Sequence, residues 1–96
     1  MAFYTYILAS DRNGTLYVGM TDDLNRRMFE HQTKAIPGFT AKYGVTMLVW
    51  YRQFETREAA FARERAIKKW NRLWKLRLIE RFNPGWRDLA LELEPN

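Results

Sequence analysis

The sequence predicts a mixed α/β (α+β) fold: a small three-stranded antiparallel sheet flanked by helices, in the order β-β-α-β-α-α. Three observations carry this expectation. Near the N-terminus two alternating β-branched and aromatic runs flank Asp11-Arg12-Asn13-Gly14, which is the pattern of a hairpin. A third such run, VTMLVWYRQF, stands by itself in the middle of the chain. The remaining stretches carry apolar residues at helical spacing behind Thr or Asn caps. With 96 residues there is room for one small core, and residues 1–96 read as a single domain without repeats, low-complexity tracts or a linker.

Each element has its own warrant. Phe3 to Ala9 is the first strand, Asn13-Gly14 the heart of the turn, and Thr15 to Met20 the second strand. Thr21 offers an N-cap with Asp22 and Asp23 behind it, where carboxylates complement the helix dipole, so a helix is expected to about Gln32. Lys34 to Gly44, with Pro37-Gly38 inside it, reads as a loop with room for a helical turn. Val45 to Phe54 is the third strand, apolar enough to be buried on both faces. Thr56 caps a second helix through Trp70, whose expected core face is Ala59, Ala62, Ala66 and Trp70, with Glu64 at the border beside Ala60 and Ile67. Asn71 caps a third, RLWKLRLIERF, which Asn83-Pro84-Gly85 ends; Trp86 and Leu89 are expected to dock the tail.

Composition narrows the function classes. Without cysteine, disulfide frameworks, thiolate catalysis and thiolate zinc sites are excluded. No stretch approaches a membrane span and the start lacks a basic leader pattern, so the reading is a soluble, cytoplasmic monomer that needs no membrane. The formal net charge of +5 is unevenly spread: residues 57–88 hold ten Lys/Arg against four Asp/Glu, +6, leaving −1 for the rest. Arg63, Lys68, Lys69, Arg72 and Lys75, interleaved with Trp70, Trp74 and Trp86, suit a phosphate backbone. The alternative is a solvated lysine-rich surface over tryptophans that belong to the core.

Several polar residues converge in the stretch TLYVGMTDDLNRRMFEH. An even-length turn, of two residues or four, puts Tyr6 and Tyr17 on one face of the hairpin, with Gly19 between them leaving room for a ligand or a neighbouring side chain. On the next helix Leu24, Arg27, Met28 and His31 fall at i, i+3, i+4 and i+7, one stripe, while Arg26 points to solvent. Arg27 therefore projects where patterning reserves space for apolar residues. It wants an anion, either a ligand or Asp22 and Asp23. Glu64 has an ordinary alternative too, an i,i+4 ion pair with Lys68.

Tyr4-Thr5-Tyr6, Tyr17-Val18-Gly19, then Arg27 and His31 on a helix and Glu64 on a later one, in that order and spacing, resemble the GIY-YIG nuclease family. The resemblance covers nearly the whole chain, and the NPGWRDLA ending is similar to the compact standalone bacterial members. It departs from the family in Tyr4 and Thr5, where the first triplet has Gly-Ile, and in Val18, where the second has isoleucine. The resemblance implies a metal-dependent DNA endonuclease in DNA repair or nucleic-acid processing. It implies Tyr6, Tyr17, Arg27, His31 and Glu64 as catalytic residues, Glu64 as ligand of one Mg²⁺ or Mn²⁺ ion, and Gly19, Lys68 and Asn83 as substrate contacts. Its partner would be DNA, with RNA and branched or single-stranded DNA as further forms. Arg27 would clamp the scissile phosphate through its fork. Tyr17, Tyr6 and His31 all stand as candidates to take the water's proton; a free tyrosine titrates near about 10 and needs nearby cations to do so. Two other functions compete: a non-catalytic nucleic-acid-binding module, and a scaffold docking on a repair partner.

Overall fold

The computed structural model describes residues 2–35 and 37–93. The sheet consists of β1 (Phe3–Ala9), β2 (Leu16–Thr21) and β3 (Met47–Phe54), with β1 in the centre and antiparallel to both neighbours. Ser10 N donates to the Thr15 carbonyl at 3.0 Å, closing a four-residue turn that pairs Tyr6 with Gly19. This is one of the two registers compatible with an even loop. Asn13 takes the left-handed conformation at φ 56°, which asparagine tolerates better than most residues. The Arg72 guanidinium donates to the Asn13 and Gly14 carbonyls at 2.6 and 2.8 Å. Arg72, expected among the phosphate-facing cations, thus pins the hairpin tip to the second of the long C-terminal helices.

The helices are α1 (Leu24–Gln32), a short α2 (Phe39–Tyr43) inside the stretch read as loop, and the two long C-terminal ones, α3 (Arg57–Lys69) and α4 (Arg72–Phe82), followed by a 3₁₀ turn at Leu89–Glu92. Thr56 and Asn71 cap α3 and α4 as expected, each accepting a backbone N–H at its N3 position. At α1 the cap is Asp23, which accepts from Arg26 N, and not Thr21. Pairing with Tyr4 holds Thr21 in the strand, where its hydroxyl accepts from Asp23 N at 3.1 Å.

Two apolar layers sandwich the sheet. Leu24 and Met28 of α1 join Tyr6, Leu8, Val45, Leu48 and Leu89 on one face; Ile67 of α3 and Ile79 of α4 join Ile7, Val18, Trp50 and Trp86 on the other. The docked tail is thereby as expected. The core face of α3 is not: Ala60 and Ile67 are buried while Ala59, Ala62 and Ala66 are exposed. An alanine has little surface to remove from water, so Ile67 dominates the choice of face. Ala60 lets the helix approach closely enough for the Thr5 hydroxyl to reach its carbonyl at 2.7 Å. Glu64, at i+4 from Ala60, consequently lies on the sheet-facing stripe and not beside it.

β3 carries a bulge. Its pairing with β1 jumps from Ile7–Trp50 to Leu8–Leu48, leaving Val49 without a partner in the ladder. Asn83, buried at the end of α4, donates to the Val49 carbonyl at 3.3 Å, and an Asp88 carboxylate oxygen accepts from Leu48 N at 3.1 Å. The C-terminal segment thus completes the hydrogen bonding that the bulge breaks.

Candidate functional site

Three rings from three elements meet at one corner of the sheet. The ring centroid of Tyr6 in β1 lies 6.4 Å from that of Tyr17 in β2 and 5.9 Å from that of His31 in α1; Tyr17 and His31 are 5.8 Å apart. The Tyr6 hydroxyl lies 3.1 Å from His31 Nε2, and His31 Nδ1 lies 3.1 Å from the Thr40 hydroxyl in α2. Burial lowers the pKa of His31, and the Arg27 charge lowers it further against a smaller opposing pull from Glu30. A neutral imidazole has one N–H. Placing it on Nδ1, donating to Thr40, leaves Nε2 to accept the buried Tyr6 proton, so the phenol is not stranded.

Tyr6 is fully buried and keeps that proton: burial, then the neighbouring Tyr17, push its pKa up to about 12, although Arg27 pulls the other way by charge and hydrogen bonding. Tyr6 and His31, at 0 % and 3 % exposure, do not reach solvent, whereas Tyr17 is half-buried. The space at Gly19 is what seats Tyr6. A Cβ there would stand 2.6 Å from the Tyr6 hydroxyl and 3.0 Å from the Tyr17 ring. The room expected at Gly19 therefore belongs to a neighbouring side chain and not to a ligand.

Arg27 and Glu64 complete the corner, since the charges of both act on the Tyr6 phenol. Arg27 pairs with Glu30, and Asp22 pairs with solvent-facing Arg26 at 3.6 Å. The Arg27 Nε lies 3.3 Å from Glu30, yet off the hydrogen-bonding direction, so this buried N–H has no hydrogen bond. The Glu64 side chain is 12 % exposed and accepts Lys68 Nζ at 3.1 Å, while Lys68 is half-exposed. The ordinary i,i+4 pair thus forms, between a nearly enclosed carboxylate and a free-ended lysine.

Asn83 does not belong to this corner. Its amide donates to the Val49 and Arg87 carbonyls and its oxygen accepts from Arg87 N. With 1 % exposure and every strong hydrogen-bonding group engaged, it has nothing to offer a substrate; the expected contact is corrected to a structural one. Conversely, Thr40 and Phe39 escaped the sequence reading. Phe39 stacks on Tyr17 at 6.5 Å and Thr40 holds His31. Both sit in a short helix among loop residues, and no periodicity marks them.

Among the described residues no three His, Cys, Asp or Glu side chains group as a metal cage. A single enclosed carboxylate with hard oxygen donors, tied only to a movable lysine, fits an ion that keeps most of its waters, as Mg²⁺ does. No helix of the described residues is long and apolar enough to cross a membrane.

Comparison with known proteins identifies the family and the fold. The model of the GIY-YIG catalytic domain matches residues 2–77. A UPF0213 protein of Haloquadratum walsbyi is 38% identical over 78 residues, 80% of this chain and 85% of that one. A UPF0213 protein of Clostridium perfringens is 37% identical over 76 residues, 79% and 81% of the two chains. The solution NMR structure of a UPF0213 protein from Bacillus halodurans superposes with a TM-score of 0.58 at 27% identity, covering 100% of both chains.

Proposed function

We propose that this chain, which belongs to the GIY-YIG family, is a metal-dependent DNA endonuclease that hydrolyses phosphodiester bonds, acting in the cytoplasm in DNA repair or nucleic-acid processing. The observation that supports this most is the gathering of Tyr17, Arg27 and Glu64 around the Tyr6–His31 hydrogen bond.

Hydrolysis needs a water in line with the P–O bond that breaks, and positive charge on the oxygens that gain charge. Arg27 is suited to the second task. Its side chain is about a third exposed, and the two terminal nitrogens form a fork that matches two phosphate oxygens. Tyr17, half-exposed, holds the attacking water through its phenol oxygen. Tyr6 and His31 are positioning residues: closed off from solvent, they fix Tyr17 and Arg27 and do not touch the phosphate. Because Tyr6 holds its proton to about pH 12, the water's proton does not come to rest there at neutral pH.

A divalent cation such as Mg²⁺ or Mn²⁺ at Glu64, when bound, would supply charge neutralisation and a polarised water. Glu64 must then release Lys68, whose half-exposed side chain is free to follow the phosphate backbone. The Glu64–Lys68 pair is also the one observation that favours a non-catalytic binding module, since it already neutralises the carboxylate.

Incubation of the purified protein with supercoiled plasmid, branched DNA, single strands and RNA, with and without Mg²⁺, tests the proposal. The expected result is Mg²⁺-dependent nicking of at least one DNA form. Binding without cleavage of any form would leave the non-catalytic reading.

A further inference from the structure

Beyond the ring cluster the chain builds a second feature, between α3 and α4. Arg63 lies on α3 and Trp70 is the extended residue that ends it, and Trp74, Arg77, Leu78 and Arg81 follow the i, i+3, i+4, i+7 stripe of α4. These six line an open groove of about 260 Å³. The indoles of Trp70 and Trp74 meet edge to face at 5.9 Å, and the Arg63 guanidinium lies over Trp70 at 5.1 Å. Arg63 Nε is buried without a hydrogen bond.

The charge of the groove is uncompensated. Among the described residues no acid forms an ion pair with Arg63, Arg77 or Arg81. Glu80, nearby on α4, accepts the Trp86 indole N–H, and Glu64 is held by Lys68. Three guanidinium groups around two indoles call for a ligand with both an anion and a flat apolar ring. The volume is below the roughly 300–1,000 Å³ of pockets for whole drug-sized ligands, which suits one base and its phosphate. Trp74 is 53 % exposed, so its ring is available for stacking.

We propose that the α3–α4 groove is a subsite for single-stranded nucleic acid, in which an unstacked base lies against Trp74 and the flanking phosphates take Arg77, Arg81 and Arg63. In a duplex the bases face one another and offer no free ring, so the groove discriminates strand state. The proposal rests on the nucleic-acid reading above but not on cleavage. Arg63 directly precedes Glu64 on α3, so the groove and the candidate catalytic corner share that helix. The substrate class would then be DNA that carries a single-stranded segment.

The test is fluorescence anisotropy in EDTA, where no metal-dependent cleavage occurs, with a labelled oligo(dT), a duplex of the same length, thymidine monophosphate and polyglutamate as competitors. Trp74→Ala should weaken oligo(dT) binding roughly 5- to 150-fold, the range of one stacked base, and leave duplex binding within about twofold. Trp74→Phe should retain most of the affinity, Arg77→Gln with Arg81→Gln should lose it, and thermal melts should be unchanged for all. Equal losses on both nucleic-acid forms, or none, would overturn the subsite while leaving the endonuclease reading intact. Displacement of oligo(dT) by polyglutamate through Trp74 would reassign the groove to an acidic protein segment. A wild-type protein that binds neither nucleic acid would remove both readings.

Discussion

At the scale of single residues, the two adjacent arginines separate cleanly. Arg26 lies in an exposed pair with Asp22, worth little in water, whereas Arg27 faces the ring cluster with a buried N–H that has no hydrogen bond among the described residues. The i, i+3, i+4, i+7 stripe already distinguished them in the sequence; their partners were not legible, because Asp22 and Asp23 before the helix and Glu30 within it all stand within reach of the pair. Arg27→Lys should lose about a hundredfold or more in single-turnover cleavage, since an ammonium cannot reproduce the fork, and Arg26→Lys should be nearly silent. Equal activity of the two variants would contradict the assignment. His31 gives a second prediction. Its folded pKa lies below its ordinary value of 6.5, so the unfolded chain binds the proton more readily. The stability it contributes is full above pH 6.5 and is lost as pH falls from there through the folded value. Thermal melts between pH 7.5 and 5 should show a larger drop for the wild type than for His31→Gln.

At the scale of elements, the order of strands and long helices was readable, because alternation, helical spacing and caps all agreed. What was not readable came from pairing between distant segments. The cap of α1 moved from Thr21 to Asp23 because Tyr4 holds Thr21 in the sheet. The face of α3 turned because Ile67 outweighs three alanines in buried area. Asn83 looked like a site residue because a bulge in β3, invisible in the sequence, is what it serves. Asn83→Ala would leave the Val49 and Arg87 carbonyls and the Arg87 N–H short of partners, at about 1–3 kcal/mol for each group that stays buried. A loss of even 2 kcal/mol lowers Tm by roughly 8–16 °C in a domain of this size. The folded fraction should still cleave at low temperature. An Asn83→Ala protein with unchanged Tm but no activity would return Asn83 to the site.

At the scale of the whole molecule, the uneven charge seen in the sequence resolves into separate jobs. Arg72 is held by the hairpin tip and Lys68 pairs with Glu64 until a cation takes its place, while among the described residues Arg63, Arg77 and Arg81 form no ion pair around exposed indole. The core alternative for the tryptophans holds for Trp86, in part for Trp70, which packs half-buried against the core, and not for Trp74. Composition alone could not divide them, since only the packing of α3 on α4 decides which side each indole faces. Binding to duplex DNA should fall with salt, each neutralised phosphate adding roughly −0.9 to the slope of log K against log salt; a flat dependence would speak against phosphate tracking. The endonuclease reading itself turns on Glu64. Glu64→Gln keeps the size and hydrogen-bonding reach of the side chain while removing its charge, so melts and DNA affinity measured without metal should stay close to wild type. Single-turnover cleavage at saturating Mg²⁺ should fall about a hundredfold or more. Wild-type cleavage rates in the folded Glu64→Gln protein would mean that this carboxylate holds no catalytic ion, and that the corner built by Tyr6, Tyr17, Arg27 and His31 works by other means or not at all.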